Sequence, residues 1–173
     1  KIMNFIKDVR LFNNDEINSV NMIVEIKKGS KNKNELVAPS FDKVECVRKI
    51  KFKYPFYYGC FPETLAGDKD PTDAILLTKE KHKVLDIVKV QPIALIKTID
   101  KGEVDNKVIC VEGEIKNIDK LIKKVNKFLH IYKGKKANMI IDERVYDATE
   151  AMNEIKKDYI CKTKVSVNSL TID

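Results

Sequence analysis

At 173 residues and 43% hydrophobic side chains, the chain is long enough and apolar enough to bury a genuine core, which excludes a disordered tail. Its net charge of +7 comes mostly from lysines spread along the whole chain rather than gathered into one arm, so a nucleic-acid partner is not expected. No apolar run reaches the roughly 20 residues a spanning helix needs, which argues against a membrane partner, and four scattered cysteines (Cys46, Cys60, Cys110, Cys161) without a Cys-x-x-Cys pair argue against zinc.

In chain order, residues 1–19 are mixed and polar, with a turn expected at Asn13-Asn14-Asp15. Residues 20–27 read as a strand in which Glu25 interrupts an apolar run. Gly29-Ser30-Lys31-Asn32 carries hairpin-turn chemistry and predicts a return strand from Lys33, with Lys33 and Glu35 on one face. Residues 44–53 alternate again as a strand, followed by a loop punctuated by Gly and Pro. Strands are expected at 74–79 and 85–99, the second split by Pro92, and a short one at 108–111. From residue 118 the period changes: Ile118, Leu121, Ile122, Val125, Phe128, Leu129 and Tyr132 recur at steps of three and four, predicting a helix to 133 with Asn117 as its N-cap. A strand over 138–142 and a second amphipathic helix over 147–160 follow, and the last dozen residues carry little signal. Helices do not alternate with strands, so the pattern predicts an α+β, mainly β fold: a small closed barrel with flanking helices, one domain over residues 1–173.

The chemistry concentrates in the loop after Tyr54. Asp68, Asp70 and Asp73 fall within six positions. Carboxylates so crowded repel one another unless a cation sits between them. A hard divalent ion such as Mg²⁺ takes oxygen ligands and is the natural partner. Pro71 pushes Asp70 away from helical backbone, so Asp68 and Asp70 are expected on one face of extended chain, with Asp73 swinging in where the strand starts. An EF-hand does not fit, because counting from Asp68 the sixth position is Asp73 rather than Gly and the twelfth is Lys79 rather than Glu. His82, in a lysine-rich loop, and His130, on the polar side of the helix, are read as incidental, and the cysteines as buried free thiols of a reducing compartment.

These residues resemble the family I soluble inorganic pyrophosphatases. Asp68-x-Asp70-Pro71-x-Asp73 is similar to the signature D-G-D-P-x-D, with Lys69 in place of Gly. Val24-Glu25-Ile26, Lys33-x-Glu35, Tyr54-Pro55-x-x-Tyr58-Gly59, Asp100 with Asp105-x-Lys107, and Tyr132-Lys133 follow the family's other blocks in order, over about residues 21 to 133. The resemblance implies a five-stranded, OB-like closed barrel flanked by helices and hydrolysis of pyrophosphate to two phosphates with several Mg²⁺ ions, Mn²⁺ being the other admissible metal. It implies that Asp68, Asp73, Asp100 and Asp105 hold metal and that Asp70 orients and deprotonates the attacking water while touching the ions. Glu25 and Glu35 are outer members. Lys33, Lys107 and Lys133, with the hydroxyls of Tyr58 and Tyr132, hold pyrophosphate or leaving-phosphate oxygens. It also implies a homo-oligomer, in the cytoplasm or, where a targeting segment precedes Lys1, in an organelle matrix.

Several positions depart from the family pattern. Cys46 stands where the family has an Arg, eight residues before Tyr54, and a thiol cannot supply a bidentate charged fork. Arg48, one pleat repeat along, lies on the same predicted face and is the residue able to compensate. Lys101 follows Asp100 where many members have a second acid, Gln91 and Ala94 replace an Arg and a Gly, and there is no Trp. The departures leave open an alternative function: a catalytically impaired, pyrophosphatase-like barrel serving as an interaction subunit or a binder of phosphorylated ligands.

Overall fold

A computed structural model describes residues 1–14, 16–133 and 138–160, so Asp15 of the expected first turn, Cys161 and the final dozen residues lie outside the described part. Nine strands and three helices are present among these residues: α1 (Phe5–Asp8), β1 (Val20–Ile26), β2 (Asn32–Leu36), β3 (Val44–Lys49), β4 (Tyr57–Cys60), β5 (Asp73–Leu77), β6 (Ile87–Asp100), β7 (Glu103–Val104), β8 (Lys107–Val111), α2 (Ile118–Ile131), β9 (Met139–Tyr146) and α3 (Ala148–Asp158). No helix among them is long and apolar enough to cross a membrane.

Five strands close on themselves. β1 pairs with β4, β4 with β5, β5 with β8, β8 with β6, and β6 returns to β1 through Val20↔Val90 to Ile23↔Ile87. Only β5–β8 is parallel, and the ring is the OB-like barrel the resemblance implied. Alternation along the strands separates two cores. Val24, Tyr57, Ala74, Leu76, Val88, Leu95 and Val108 fill the inside, joined by Ala151 and Ile155 of α3. Ile26, Ile75, Leu77, Ile96 and Ile109 face outward under Val125, Phe128 and Leu129 of α2. Closure brings β1 and β4 so close that a Cβ on Gly59 would lie 1.8 Å from the Ile23 carbonyl oxygen, which requires glycine there.

Some expectations are corrected. β2 does not return along β1; it pairs with β3 in a separate two-stranded sheet, tied to the barrel by hydrogen bonds to Glu25 and by Leu36, which packs with Ile23 and Cys60. Pro92 does not split β6, which runs unbroken past it, because the proline sits at a register shift between Pro92 and Ala94. Asn117 does hold the N-cap position of α2, but in left-handed backbone and without a side-chain cap bond. Cys46 is exposed, whereas Cys60 and Cys110 are buried free thiols. His82 does not line the cavity but is held in its loop: Nε2 lies 2.6 Å from Glu112 Oε2 and the imidazole packs edge-on against Tyr57.

Candidate active site

One cavity of about 230 Å³ opens at the end of the barrel where β5 and β8 begin. Glu25 of β1, Lys33 and Glu35 of β2, Tyr58 of β4, Asp68 and Asp70 of the preceding loop, Asp73 of β5, Asp100 of β6, Asp105, Lys107 of β8, Tyr132 and Lys133 all line it. Every candidate read from the sequence is therefore gathered in one place, although strands far apart in the chain supply them. Cys60, Asn34, Lys101 and Glu103 also line the cavity and were not singled out as site residues. For Glu103 the available signal was its place between Asp100 and Asp105 in one acidic loop.

The loop before β5 is a tight turn rather than extended chain. The Ala66 N–H donates to the Asp70 carbonyl at 2.7 Å and the Lys69 N–H to the Ala66 carbonyl at 3.0 Å. Asp68 Oδ1 accepts from the Asp70 N–H at 3.1 Å. Lys69 bends the chain with φ +68°, in the position where the signature places Gly. Asp68 and Asp70 thus converge by a left-handed kink, not by strand alternation.

Lys107 is the electrostatic centre. Its ammonium is 1% exposed and lies 2.5 Å from Asp73 Oδ2 and 2.6 Å from Asp105 Oδ1. Burial favours the neutral amine, but the two carboxylates outweigh it and hold the group protonated well above the usual lysine range. Tyr58 donates to the same Asp73 oxygen at 2.7 Å. Its own hydroxyl is pushed well above the usual tyrosine value by burial and by Asp73, so it stays a neutral donor. Burial raises the Asp73 carboxyl, yet Lys107, Asp105 and Tyr58 outweigh burial and keep it ionised. Asp105 is instead raised, by burial and then by Asp73.

At the rim, Lys133 pairs with Asp100, and Lys33 with Glu35. Burial pushes Asp100 up, but the Lys133 hydrogen bond and charge, helped by Lys101 and Lys107, hold it below the usual range. Lys101 lines the cavity, and its charge is felt by Asp100. Asp68 is raised by burial and Asp73, Asp70 by burial and Asp68. Glu25 accepts from the Leu36 N–H at 2.7 Å, and burial pushes its carboxyl up to about 8. Tyr132 caps an aromatic stack in which its ring lies 5.3 Å from Phe128, itself 5.0 Å from Tyr54. Tyr54 belongs to that stack and does not line the cavity.

Among the described residues no three His, Cys, Asp or Glu side chains are drawn together tightly enough to grip one ion. The reason is visible: ammonium groups stand between or against the acids, Lys107 between Asp73 and Asp105 and Lys133 against Asp100. The donor set nevertheless fits a hard divalent cation, since it is all oxygen. Asp68 and Asp70, whose ionisation is opposed by burial and by neighbouring carboxylates, have no lysine paired to them among the ion pairs of the described residues.

The departures from the family pattern also find places. Cys46 faces out on β3, opposite Asn34, with its thiol 3.4 Å from the Arg48 carbonyl, and does not line the cavity. Arg48 is exposed beside Lys33, and its charge is felt at the hydroxyls of Tyr54 and Tyr132. Gln91 and Ala94 lie on β6 away from the cavity.

Residues 22–160 match the family model of inorganic pyrophosphatase. The chain is 33% identical over 162 residues to an inorganic pyrophosphatase of Methanosarcina acetivorans, covering 83% of this chain and 94% of that one. A relative of the same description from Picrophilus torridus is 37% identical over 94 residues, 53% of this chain and 52% of its own length. The crystal structure of an inorganic pyrophosphatase from Thermus thermophilus superposes with a TM-score of 0.78 over 90% of this chain and 97% of that one, at 24% identity, which supports the fold. By sequence, the chain belongs to the inorganic pyrophosphatase family.

Proposed function

We propose that the protein hydrolyses inorganic pyrophosphate to two phosphates in this cavity, with Mg²⁺ held by Asp68, Asp70, Asp73, Asp100 and Asp105. The observation that carries the reading is the gathering of these carboxylates with Lys33, Lys107, Lys133, Tyr58 and Tyr132 around one space in a chain of this family. A bound divalent cation neutralises phosphate oxygens and lowers the pKa of water. Asp70 takes the proton of the attacking water, its carboxylate lining the cavity beside Asp68 with no lysine paired to it among the described residues. The water oxygen bonds to one phosphorus as the bridging P–O bond breaks, and the bridging oxygen leaves with the other phosphate. Lys33 and Lys133, at the rim, face the charge that builds on that leaving group, and Tyr132 remains protonated to donate a hydrogen bond, while the one hydroxyl proton of Tyr58 goes to Asp73. Lys107 holds Asp73 ionised and in place.

The non-catalytic alternative is not favoured, because Asp70 and the second acidic loop are all retained in the cavity. The buried thiols of Cys60 and Cys110 support a reducing compartment such as the cytoplasm. The test is phosphate release from pyrophosphate by the purified chain with Mg²⁺ and after chelation. Release that disappears on chelation and returns with Mg²⁺ is the expected result; none above background in Mg²⁺ or Mn²⁺ sinks the reading.

A further inference from the structure

Behind the acidic loops, α3 buries two of its own carboxylates, Glu154 at 9% exposure and Asp158 at 7%. Neither lines the cavity. Asp158 Oδ2 accepts from Thr72 Oγ1 at 2.8 Å, and Glu154 Oε1 accepts from Asn106 Nδ2 at 2.8 Å. Thr72 stands directly before Asp73 and two residues after Asp70, while Asn106 stands between Asp105 and Lys107. In the parallel β5–β8 pair Asp73 is opposite Lys107, so Thr72 and Asn106 occupy equivalent places just before the two strands. Neighbouring strands lie about 4.8 Å apart. Residues four apart on a helix share a face and are separated by about 6 Å along the axis. One turn of α3 therefore reaches both loops at the same level.

The grip extends past the two side chains. The Leu65 N–H donates to the Asp158 carbonyl at 2.9 Å, and Thr64 Oγ1 accepts from the Thr72 N–H at 3.0 Å. Asn106 Oδ1 accepts from the Thr98 N–H at 3.1 Å, and Thr98 Oγ1 donates to the Asp105 carbonyl. Burying two carboxylates on a helix that already packs Ala151 and Ile155 into the core is expensive, and apolar residues would seat the helix at lower cost. Their value lies in where they fix their partners.

We propose that Glu154 and Asp158 are positioning residues that set the separation of the two acidic loops and so the affinity of the cavity for divalent metal. The inference rests on the function proposed above. It is tested by titrating metal-free protein with Mn²⁺ in a calorimeter, alongside far-UV circular dichroism of each variant. Asp158→Ala and Glu154→Ala are expected to weaken Mn²⁺ binding by about 10-fold or more, the range for partners that orient metal ligands. Asp158→Asn and Glu154→Gln keep an acceptor oxygen and are expected to restore affinity to within about threefold of the parent. Where an alanine variant does not fold, Thr72→Val, which keeps the shape and removes the hydroxyl, replaces it with the same expected loss. Folded variants that bind Mn²⁺ like the parent overturn the proposal. So does a loss that Asn and Gln fail to restore, since that would assign the effect to charge rather than to hydrogen-bonded placement. Parent protein that binds no Mn²⁺ at all overturns the functional reading, and this inference with it.

Discussion

Loop 67–72 and loop 100–107 both deliver aspartates to one cavity, but they manage the resulting charge in opposite ways. In the second loop each aspartate has an ammonium: Lys133 for Asp100, Lys107 for Asp105 and, across the strands, for Asp73. In the first, Asp68 accepts from the Asp70 N–H, neither Asp68 nor Asp70 has an ammonium paired to it among the described residues, and both carboxyls are raised. The contrast teaches that carboxylates in the same pocket need not be equivalent. The second loop is largely self-neutralised. The first is short of positive charge, and so is where a divalent cation gains most.

The largest structural effect should come from erasing the difference. Lys107→Met leaves Asp73 and Asp105 buried without their cation, and removing one member of a buried pair typically costs about 3–5 kcal/mol. Chemical denaturation of metal-free protein should show that loss, and Mg²⁺ should recover part of it by occupying the freed carboxylates. An unchanged midpoint would mean the lysine is dispensable to the pair.

Glu25 sharpens the comparison through pH. Its carboxyl is raised from the ordinary 4.5 to about 8 by burial, so the folded state holds a proton that the unfolded state has released between those values. Stability from this group is therefore complete below 4.5 and is lost as pH rises through about 8. Glu25→Gln keeps an acceptor for the Leu36 N–H and cannot ionise. Metal-free Glu25→Gln should melt above the parent at pH beyond about 8 and level with it near 4.5. Equal melting across that range would contradict the assignment.

Smaller effects follow at the rim and at the kink. Arg48→Ala should raise KM for pyrophosphate a few-fold with little change in kcat, as expected for a charge that steers an anion without touching the reacting atoms. A fall in kcat instead would place Arg48 in the chemistry. Lys69 holds φ +68°, where a non-glycine residue is disfavoured by roughly 1–2 kcal/mol. Lys69→Gly should therefore raise the melting temperature slightly, less any entropy glycine returns to the unfolded chain.

Most residues that line the candidate site were legible because each chemical block is short and local: Asp68 to Asp73, Asp100 to Lys107, Tyr132-Lys133. Helix α2 was legible for the same reason, through its three- and four-residue period. What escaped depends on partners distant in the chain. β4 is four residues long and contains a glycine, and its strand character comes from β1 and β5 on either side. Pairing of β2 with β3 rather than β1 is decided by barrel closure, which hands β1 to β4 and β6. His82 looked solvated among lysines until Glu112, thirty residues on, was brought beside it. Glu154 and Asp158 looked like the polar face of an amphipathic helix, and only Thr72 and Asn106, far away in sequence, give them a buried purpose.

The measurement that bears most directly on the whole reading is phosphate release from pyrophosphate in saturating Mg²⁺ by the parent chain and by Asp70→Asn. Asparagine keeps the size of Asp70 but cannot take a proton from water. A fall in kcat of about 10²–10⁴-fold, with the variant still folded and still binding Mg²⁺, is the predicted result. Turnover by Asp70→Asn equal to the parent would contradict it and would move the proton acceptor to another carboxylate of the cavity.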